Sequence, residues 1–149
     1  WLSETLMVDN LAAKGGGAEN TSRVYMLSPG DGREGVIRSV LRTVDAAGAN
    51  PCPPVVVGVG LGGSMETAAL LGKKALLRRL DEPAKKPIDA ELEAELLERI
   101  NQLGIGPQGL GGRTTALGVL VESMPCHIAS LPLGVNIMCH SYRHTRIEI

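Results

Sequence analysis

One short apolar run between prolines and glycines constrains the fold more than any other segment. Residues 55–59 are valines apart from Gly58, and they follow Pro51-Cys52-Pro53-Pro54. A β-branched run of this length is typical of a strand buried on both faces. Glycines then lead to Ser64 and to apolar residues at helical spacing, namely Ala68, Leu71, Ala75 and Leu76. The sequence therefore predicts a central strand followed by a helix that Ser64 caps and that runs to Arg79.

Strands and helices are predicted in alternation along the rest of the chain. Further strands are expected at residues 3–12, 116–123 and 131–138. A helix is expected through residues 36–44, stopping near Gly48, and another over residues 89–103 with its acidic residues on the solvated face. Residues 14–20, 81–87 and 104–118 are predicted as loops or linkers, and the polar tail after Met138 is assigned no element. The fold class is therefore α/β or α+β, with a mixed sheet and flanking helices.

Composition argues against several classes of protein. The 149 residues include 15 Lys plus Arg and 16 Asp plus Glu, for a formal net charge of −1, which disfavours binding to nucleic acid by bulk electrostatics. No apolar run has the length of a membrane span, and the N-terminus does not look like a signal peptide. Three cysteines, an odd number at wide spacing, do not look like a disulfide framework. We therefore expect a cytoplasmic protein with reduced thiols that binds neither nucleic acid nor membrane.

Gly58, Gly60 and Gly63 match the G-x-G-x-x-G spacing of dinucleotide-binding folds. That fingerprint also needs a second strand after the helix, ending in an acidic residue that holds the ribose. Asp81 lies at a tolerable distance, but it stands in a charged linker rather than an apolar strand. A dinucleotide-binding module therefore remains the alternative function. The same glycines could also bind a substrate anion through backbone N–H groups, or simply let helix and strand pack closely.

Two cysteines stand next to predicted buried strands. Prolines on both sides of Cys52 fix its backbone and hold the thiol in one place. Cys139 follows an apolar run and opens the segment Cys-His-Ser-Tyr-Arg-His. Neither belongs to a C-x-x-C pair, so the zinc-ribbon pattern is absent. By spacing alone, each cysteine fits a metal ligand or an ordinary buried residue.

Four blocks of sequence, in order, resemble a single family. They are KGGGAEN, NPCPPVVVGVGLGGSMETAALLGKKALLR, LGIGPQGLGGRTTALGV and PCHIASLPLGVNIMCHSYRH. Together they cover well over half of the chain and resemble the class I (iron–sulfur) fumarate hydratases and L-tartrate dehydratases, in the later part of the alpha subunit or N-terminal domain. The chain also opens at Trp1 rather than Met. We therefore expect residues 1–149 to be a single domain or a fragment of a larger cluster-binding domain, resembling its C-terminal portion.

The resemblance implies a hydro-lyase that hydrates fumarate to malate, or dehydrates a related hydroxy dicarboxylate such as tartrate. In that family three cysteines hold a [4Fe–4S] cluster, whose open iron binds the substrate as a Lewis acid. Carried over by position, Cys52 and Cys139 are expected to be metal ligands, and the third ligand is expected upstream. Cys126 stands where the family often has Thr, so it would be a ligand only in a self-contained chain.

The resemblance also implies residues that meet the substrate. His127 matches a histidine that contacts substrate and takes part in catalysis. Expected substrate-binding residues lie in the two glycine-rich loops: Gly15, Gly16, Gly17, Gln108 and Arg113. Arg113 could pair with a carboxylate or be a structural arginine, while His140, Arg143 and His144 are expected to shape the cluster's surroundings or to meet another domain.

The base that removes the carbon-bound proton is not obvious in this sequence. In the family, further catalytic groups come from the upstream portion and from a beta subunit or C-terminal domain. We therefore expect that partner, a homo-oligomeric whole enzyme, and no activity from this chain alone.

Overall fold

The computed structural model describes residues 7–12, 16–141 and 143–148. These residues contain six strands and four α-helices. Short 3₁₀ turns occur at Pro29–Asp31 and Pro107–Gly109. None of the described helices is long and apolar enough to cross a membrane. The elements are, in chain order, β1 Met7–Ala12, α1 Gly17–Thr21, β2 Arg23–Leu27, α2 Gly32–Ala47, β3 Val55–Leu61, α3 Met65–Ala75, α4 Pro87–Gln102, β4 Ala116–Ser123, β5 Leu131–Met138 and β6 Arg143–Glu148.

Four of the strands form a mixed sheet in the order β2-β5-β3-β4. Strand β3 runs parallel to β4 and antiparallel to β5, while β5 is also antiparallel to β2. Residues 55–60 of β3 are all buried, as their β-branched run predicts. The predicted mixed sheet with flanking helices is therefore confirmed, and the fold is α/β.

Different helices cover the two faces of this sheet. Helices α2 and α4 cover one face, where Val57, Leu96 and Ile137 belong to the larger apolar core. Helix α3 covers the other face and packs Ala75 in one buried cluster with Met138. Because both faces exclude water, the hydrophobic effect holds the sheet between two helical layers.

Glycines in β3 allow α3 to approach the sheet closely. A Cβ at Gly60 would lie 2.0 Å from the carbonyl O of Ala68, and one at Gly58 would lie 2.1 Å from that of Gly72. Backbone atoms at these distances leave no room for a side chain, so both glycines serve packing. The described residues between α3 and α4 contain no strand. The second strand of a dinucleotide fingerprint is therefore missing there. The structure gives no support for a nucleotide site at Gly58, Gly60 and Gly63.

Several local predictions were wrong. The loop predicted at residues 14–20 becomes helical from Gly17, and the Thr21 hydroxyl donates to the carbonyl O of Gly17 at 2.7 Å. Helix α3 ends at Ala75 rather than reaching Arg79. The polar tail contains β6, which forms a two-stranded antiparallel sheet with β1. Strand β2 was not predicted, and the part of the predicted first strand before Met7 lies outside the described residues.

Candidate functional site

Cys52 and Cys139 lie at the same end of the four-stranded sheet. Cys52 comes shortly before β3, which begins at Val55, and Cys139 directly follows the last residue of β5. In the antiparallel ladder Val56 pairs with Met138, so the start of β3 lies beside the end of β5. The ladder therefore brings together two cysteines that are far apart in sequence.

The backbone at Cys52 is unusual. Its φ is 55°, and among the described residues only Cys52 and Gln108 combine a side chain with a positive φ. This left-handed region costs a residue with a Cβ of order 1–3 kcal/mol, and such strain is found mostly at functional sites. The N–H of Cys52 donates to the carbonyl O of Ala49 at 3.0 Å. The half-buried thiol is therefore presented from a closed turn.

Cys139 is fully buried, and its sulfur has polar neighbours. The backbone N–H of Ser141 donates to its Sγ at 3.3 Å, and the Ser141 Oγ lies 2.8 Å from the same atom. Hydrogen bonds to sulfur of this kind tune the properties of cluster thiolates in iron–sulfur proteins. The surroundings of Cys139 are therefore compatible with a metal ligand.

Two further residues contact the backbone that follows Cys52. His140 places Nδ1 2.9 Å from the carbonyl O of Cys52. The backbone N–H of Gln108 donates to the carbonyl O of Pro53 at 2.8 Å, and the side-chain Nε2 donates to the same oxygen at 3.3 Å. The cysteine turn, the second glycine-rich loop and the segment after β5 therefore meet at one place.

The first glycine-rich segment reaches the same end of the sheet. A Cβ at Gly17 would lie 2.0 Å from the carbonyl O of Asn50, so only glycine fits against the segment that leads to Cys52. Gly16, with φ 66°, turns the chain into α1. Gly15 lies outside the described residues, so the structure places only Gly16 and Gly17 of the three predicted glycines.

Arg113 is exposed in the second glycine-rich loop. In that loop a Cβ at Gly109 would lie 2.4 Å from the Cβ of Ala49, which brings the loop against the residues before Cys52. The ion pairs within the described part of the chain do not include Arg113. Its predicted contact with a substrate carboxylate stays a prediction, as does the structural alternative.

His127 and Cys126 lie at the opposite end of the sheet. They belong to the segment between β4 and β5, where the N–H of Gly63 donates to the carbonyl O of Pro125 at 3.2 Å. Strand β3 has seven residues, so the two ends are separated by about 20 Å at roughly 3.3 Å per residue. One chain therefore does not bring its own His127 or Cys126 to Cys52 and Cys139.

His127 borders a mainly apolar cavity of about 410 Å³ between the starts of α2 and α4. The N–H of Ala129 donates to Nδ1 of His127 at 3.1 Å. A neutral imidazole that accepts at Nδ1 carries its hydrogen on Nε2, which leaves Nε2 as the donor atom of the ring. Arg33, Asp89 and Ser130 also line this cavity.

Comparison with known proteins decides the family. The family model for fumarate hydratase (Fumerase) matches residues 5–148. This chain belongs to the fumarate hydratase (Fumerase) family. The resemblance that the four sequence blocks suggested is thereby confirmed.

Individual members of the fumarate hydratase family match most of this chain. A Methanocaldococcus jannaschii protein, provisionally named L(+)-tartrate dehydratase subunit alpha, is 53% identical over 130 residues, which are 87% of this chain and 46% of that protein. L(+)-tartrate dehydratase subunit alpha of Escherichia coli K12 is 40% identical over 149 residues, covering 96% of this chain and 49% of the relative. The chain therefore spans about half the length of the curated relatives that it matches.

The donors at the cysteine end fit part of a cluster site. Within the described ranges, no group of three or more His, Cys, Asp or Glu residues is arranged to hold a metal ion. Cys52 and Cys139 supply two thiols at one end of the sheet, and Cys126 is too distant to be the third. A cluster held by three cysteines would therefore need a ligand from outside this copy of the chain.

Proposed function

We propose that the enzyme containing this chain is an iron–sulfur hydro-lyase. It would hydrate fumarate reversibly to malate, or dehydrate a related hydroxy dicarboxylate such as tartrate. Membership of the fumarate hydratase family supports this reaction class, and the matched relatives carry the name tartrate dehydratase. The observation that carries the proposal is the placement of Cys52 and Cys139, from two distant segments, at the same end of the sheet.

In this proposal Cys52 and Cys139 are two of the three ligands of a [4Fe–4S] cluster. The iron of this cluster that has no protein ligand would act as a Lewis acid on the oxygens of the substrate. The position of Cys139, buried and hydrogen-bonded by Ser141, supports this assignment. Such a cluster would require reduced thiols, which fits a cytoplasmic location.

Substrate binding is assigned to the glycine-rich segments that reach the same end of the sheet. We propose that the N–H groups of residues 15–17 and the guanidinium of Arg113 bind substrate carboxylates. The Gln108 amide has donor and acceptor capacity beyond its contact with Pro53, so it could also reach the substrate. The close approach of Gly17 to Asn50 supports this arrangement.

His127 is proposed to transfer a proton during the reaction. Its separation from Cys52 along the sheet means that a second copy of the chain would have to supply it. That requirement agrees with the expectation of a homo-oligomeric enzyme. The relatives are named as alpha subunits, which supports a beta subunit or C-terminal domain as the source of the remaining catalytic groups.

Counting iron and sulfide after anaerobic reconstitution tests the cluster assignment. We expect Cys52→Ser and Cys139→Ser to lose most of the about four iron atoms per site of a [4Fe–4S] protein. The matched control, Cys126→Ser, should keep them because the resemblance, in which Thr often stands at this position, implies that Cys126 is not a ligand. The assignment fails if Cys52→Ser or Cys139→Ser retains the full iron content.

Steady-state kinetics of the reconstituted enzyme with its partner test the reaction and the substrate. Fumarate, malate and tartrate are compared by kcat/KM, and the highest value identifies the preferred dicarboxylate. Turnover of none of the three by the fully loaded enzyme would contradict the proposed reaction class.

A further inference from the structure

The two strained residues of the cysteine end are linked through the backbone of Pro53. Cys52 has φ 55° and Gln108 has φ 56°. They are linked through Pro53, whose carbonyl O accepts from both the backbone N–H and the side-chain Nε2 of Gln108. A side chain in this backbone region persists only where its surroundings hold it. The contacts around this turn are therefore what maintains it.

His140 holds the preceding carbonyl of the same turn. Its Nδ1 lies 2.9 Å from the carbonyl O of Cys52, and because a carbonyl oxygen only accepts, Nδ1 carries the hydrogen. His140 also directly follows Cys139, whose side chain is fully buried. This single hydrogen bond therefore ties the backbone of one cysteine to the residue next to the other.

We propose that His140 and Gln108 are positioning residues that hold the Cys52 thiol in a defined place relative to Cys139. Their bonds engage two successive carbonyls, so they orient the two peptide units that follow the Cys52 Cα. Both residues act on Cys52 through the backbone carbonyls that they bind. The inference rests on the proposed function, in which both cysteines bind one cluster, because a pre-ordered ligand loses less freedom on binding.

Thiol reactivity of the cluster-free enzyme tests the positioning directly. Alkylation rates of Cys52 and Cys126 are measured by peptide mass spectrometry, with exposed Cys126 at the opposite end as internal reference. His140→Phe should raise the Cys52 rate relative to Cys126 about fivefold, the factor that corresponds to one ordinary hydrogen bond. Gln108→Ala should act in the same direction.

A conservative variant separates positioning from general destabilisation. His140→Asn keeps a donor close to the position of Nδ1, so its Cys52 rate should return towards that of the wild type. The proposal is overturned if His140→Phe leaves the ratio unchanged, or if Cys52 and Cys126 accelerate together, which would mark a loosened fold. It is also overturned if His140→Asn behaves like His140→Phe.

Release of iron from the reconstituted enzyme to a chelator provides the second readout. We expect release about fivefold faster in His140→Phe and near wild type in His140→Asn. Equal release rates in all three proteins would contradict the proposal. If the wild-type enzyme takes up no iron or sulfide, the proposed function fails, while the alkylation ratios still decide whether the two residues hold the turn.

Discussion

Gly58 and Gly60 occupy positions that a dinucleotide-binding fold also fills with glycine, but here they face a helix. The carbonyl oxygens of Gly72 and Ala68 occupy the space that side chains would need. The spacing alone left close packing, anion binding and nucleotide binding open. The distances to the backbone of α3 favour close packing of the helix on the strand as the role of these two glycines.

A side chain at Gly60 should therefore destabilise the protein. Gly60→Ala forces backbone atoms of α3 away from β3, and overpacking of this kind typically costs about 1–3 kcal/mol. Gly30→Ala is the matched control, because a Cβ at Gly30 has no neighbour within 4 Å, and it should change stability by less than about 0.5 kcal/mol. Urea unfolding measures both. Equal effects of the two substitutions would contradict the packing role.

In helix α4, hydrogen-bond donors from other elements allow one acidic residue to be buried. The acidic residues of this helix were predicted to lie on its solvated face, but Glu93 is buried. Its carboxylate accepts from the N–H of Val121 at 2.7 Å and of Ala84 at 3.0 Å, and it pairs with Arg78. The prediction was wrong because helical spacing carries no information about donors on β4 and on the linker.

Two glutamates of α4 allow a matched comparison. Glu93→Ala should cost about 3–5 kcal/mol, because it removes the carboxylate from a buried ion pair with Arg78. Glu95 makes its ion pairs with Arg99 and Arg33 at the surface, so Glu95→Ala should cost less than about 1 kcal/mol. Chemical denaturation of both variants gives the comparison. Similar losses from both substitutions would contradict the buried role of Glu93.

The first turn of α3 makes a small pH-dependent contribution to stability. Hydrogen bonds from its own backbone N–H and from the Ser64 hydroxyl lower the pKa of Glu66. A lowered folded-state pKa stabilises the protein above the unfolded-state pKa, and this contribution disappears as pH falls through the folded-state value. Glu66→Gln should therefore be less stable than wild type at pH 7, and the difference in unfolding free energy should shrink when the pH is lowered to about 3. A difference in unfolding free energy that is the same at both pH values would contradict this.

For the whole molecule, the antiparallel pairing of β3 with β5 decides which sequence motifs lie at the same end of the sheet. All four family blocks contribute to the end that carries Cys52 and Cys139, with Gly17, Gln108 and His140 contacting the segment around Cys52. The segment with His127 leads into β5, and Cys139 directly follows its last residue. A strand cannot bring both of its ends to one site, so the two predicted functional residues of this block are separated by its length.

A distance measurement checks this separation. Spin labels on Cys52 and Cys126, in a chain carrying Cys139→Ser, should report a distance of about 20 Å or more, as the length of β3 requires. Pulsed electron paramagnetic resonance covers this range. A separation much shorter than the length of β3 would place Cys126 near the other cysteines and make it a candidate third ligand.

Local patterns in the sequence were enough to predict β4 and β5 at their observed bounds, the buried run of β3, and Ser64 as the N-cap that accepts from Thr67. These features depend on residues that are neighbours along the chain, so their periodicity is visible in the sequence. Four matching blocks were likewise enough for the family. The tertiary structure decided the pairing of β1 with β6, the burial of Glu93, and the placement of His127 away from Cys139. Each of these depends on contacts between distant segments, because strand order and register follow from the packing of whole faces rather than from local preference.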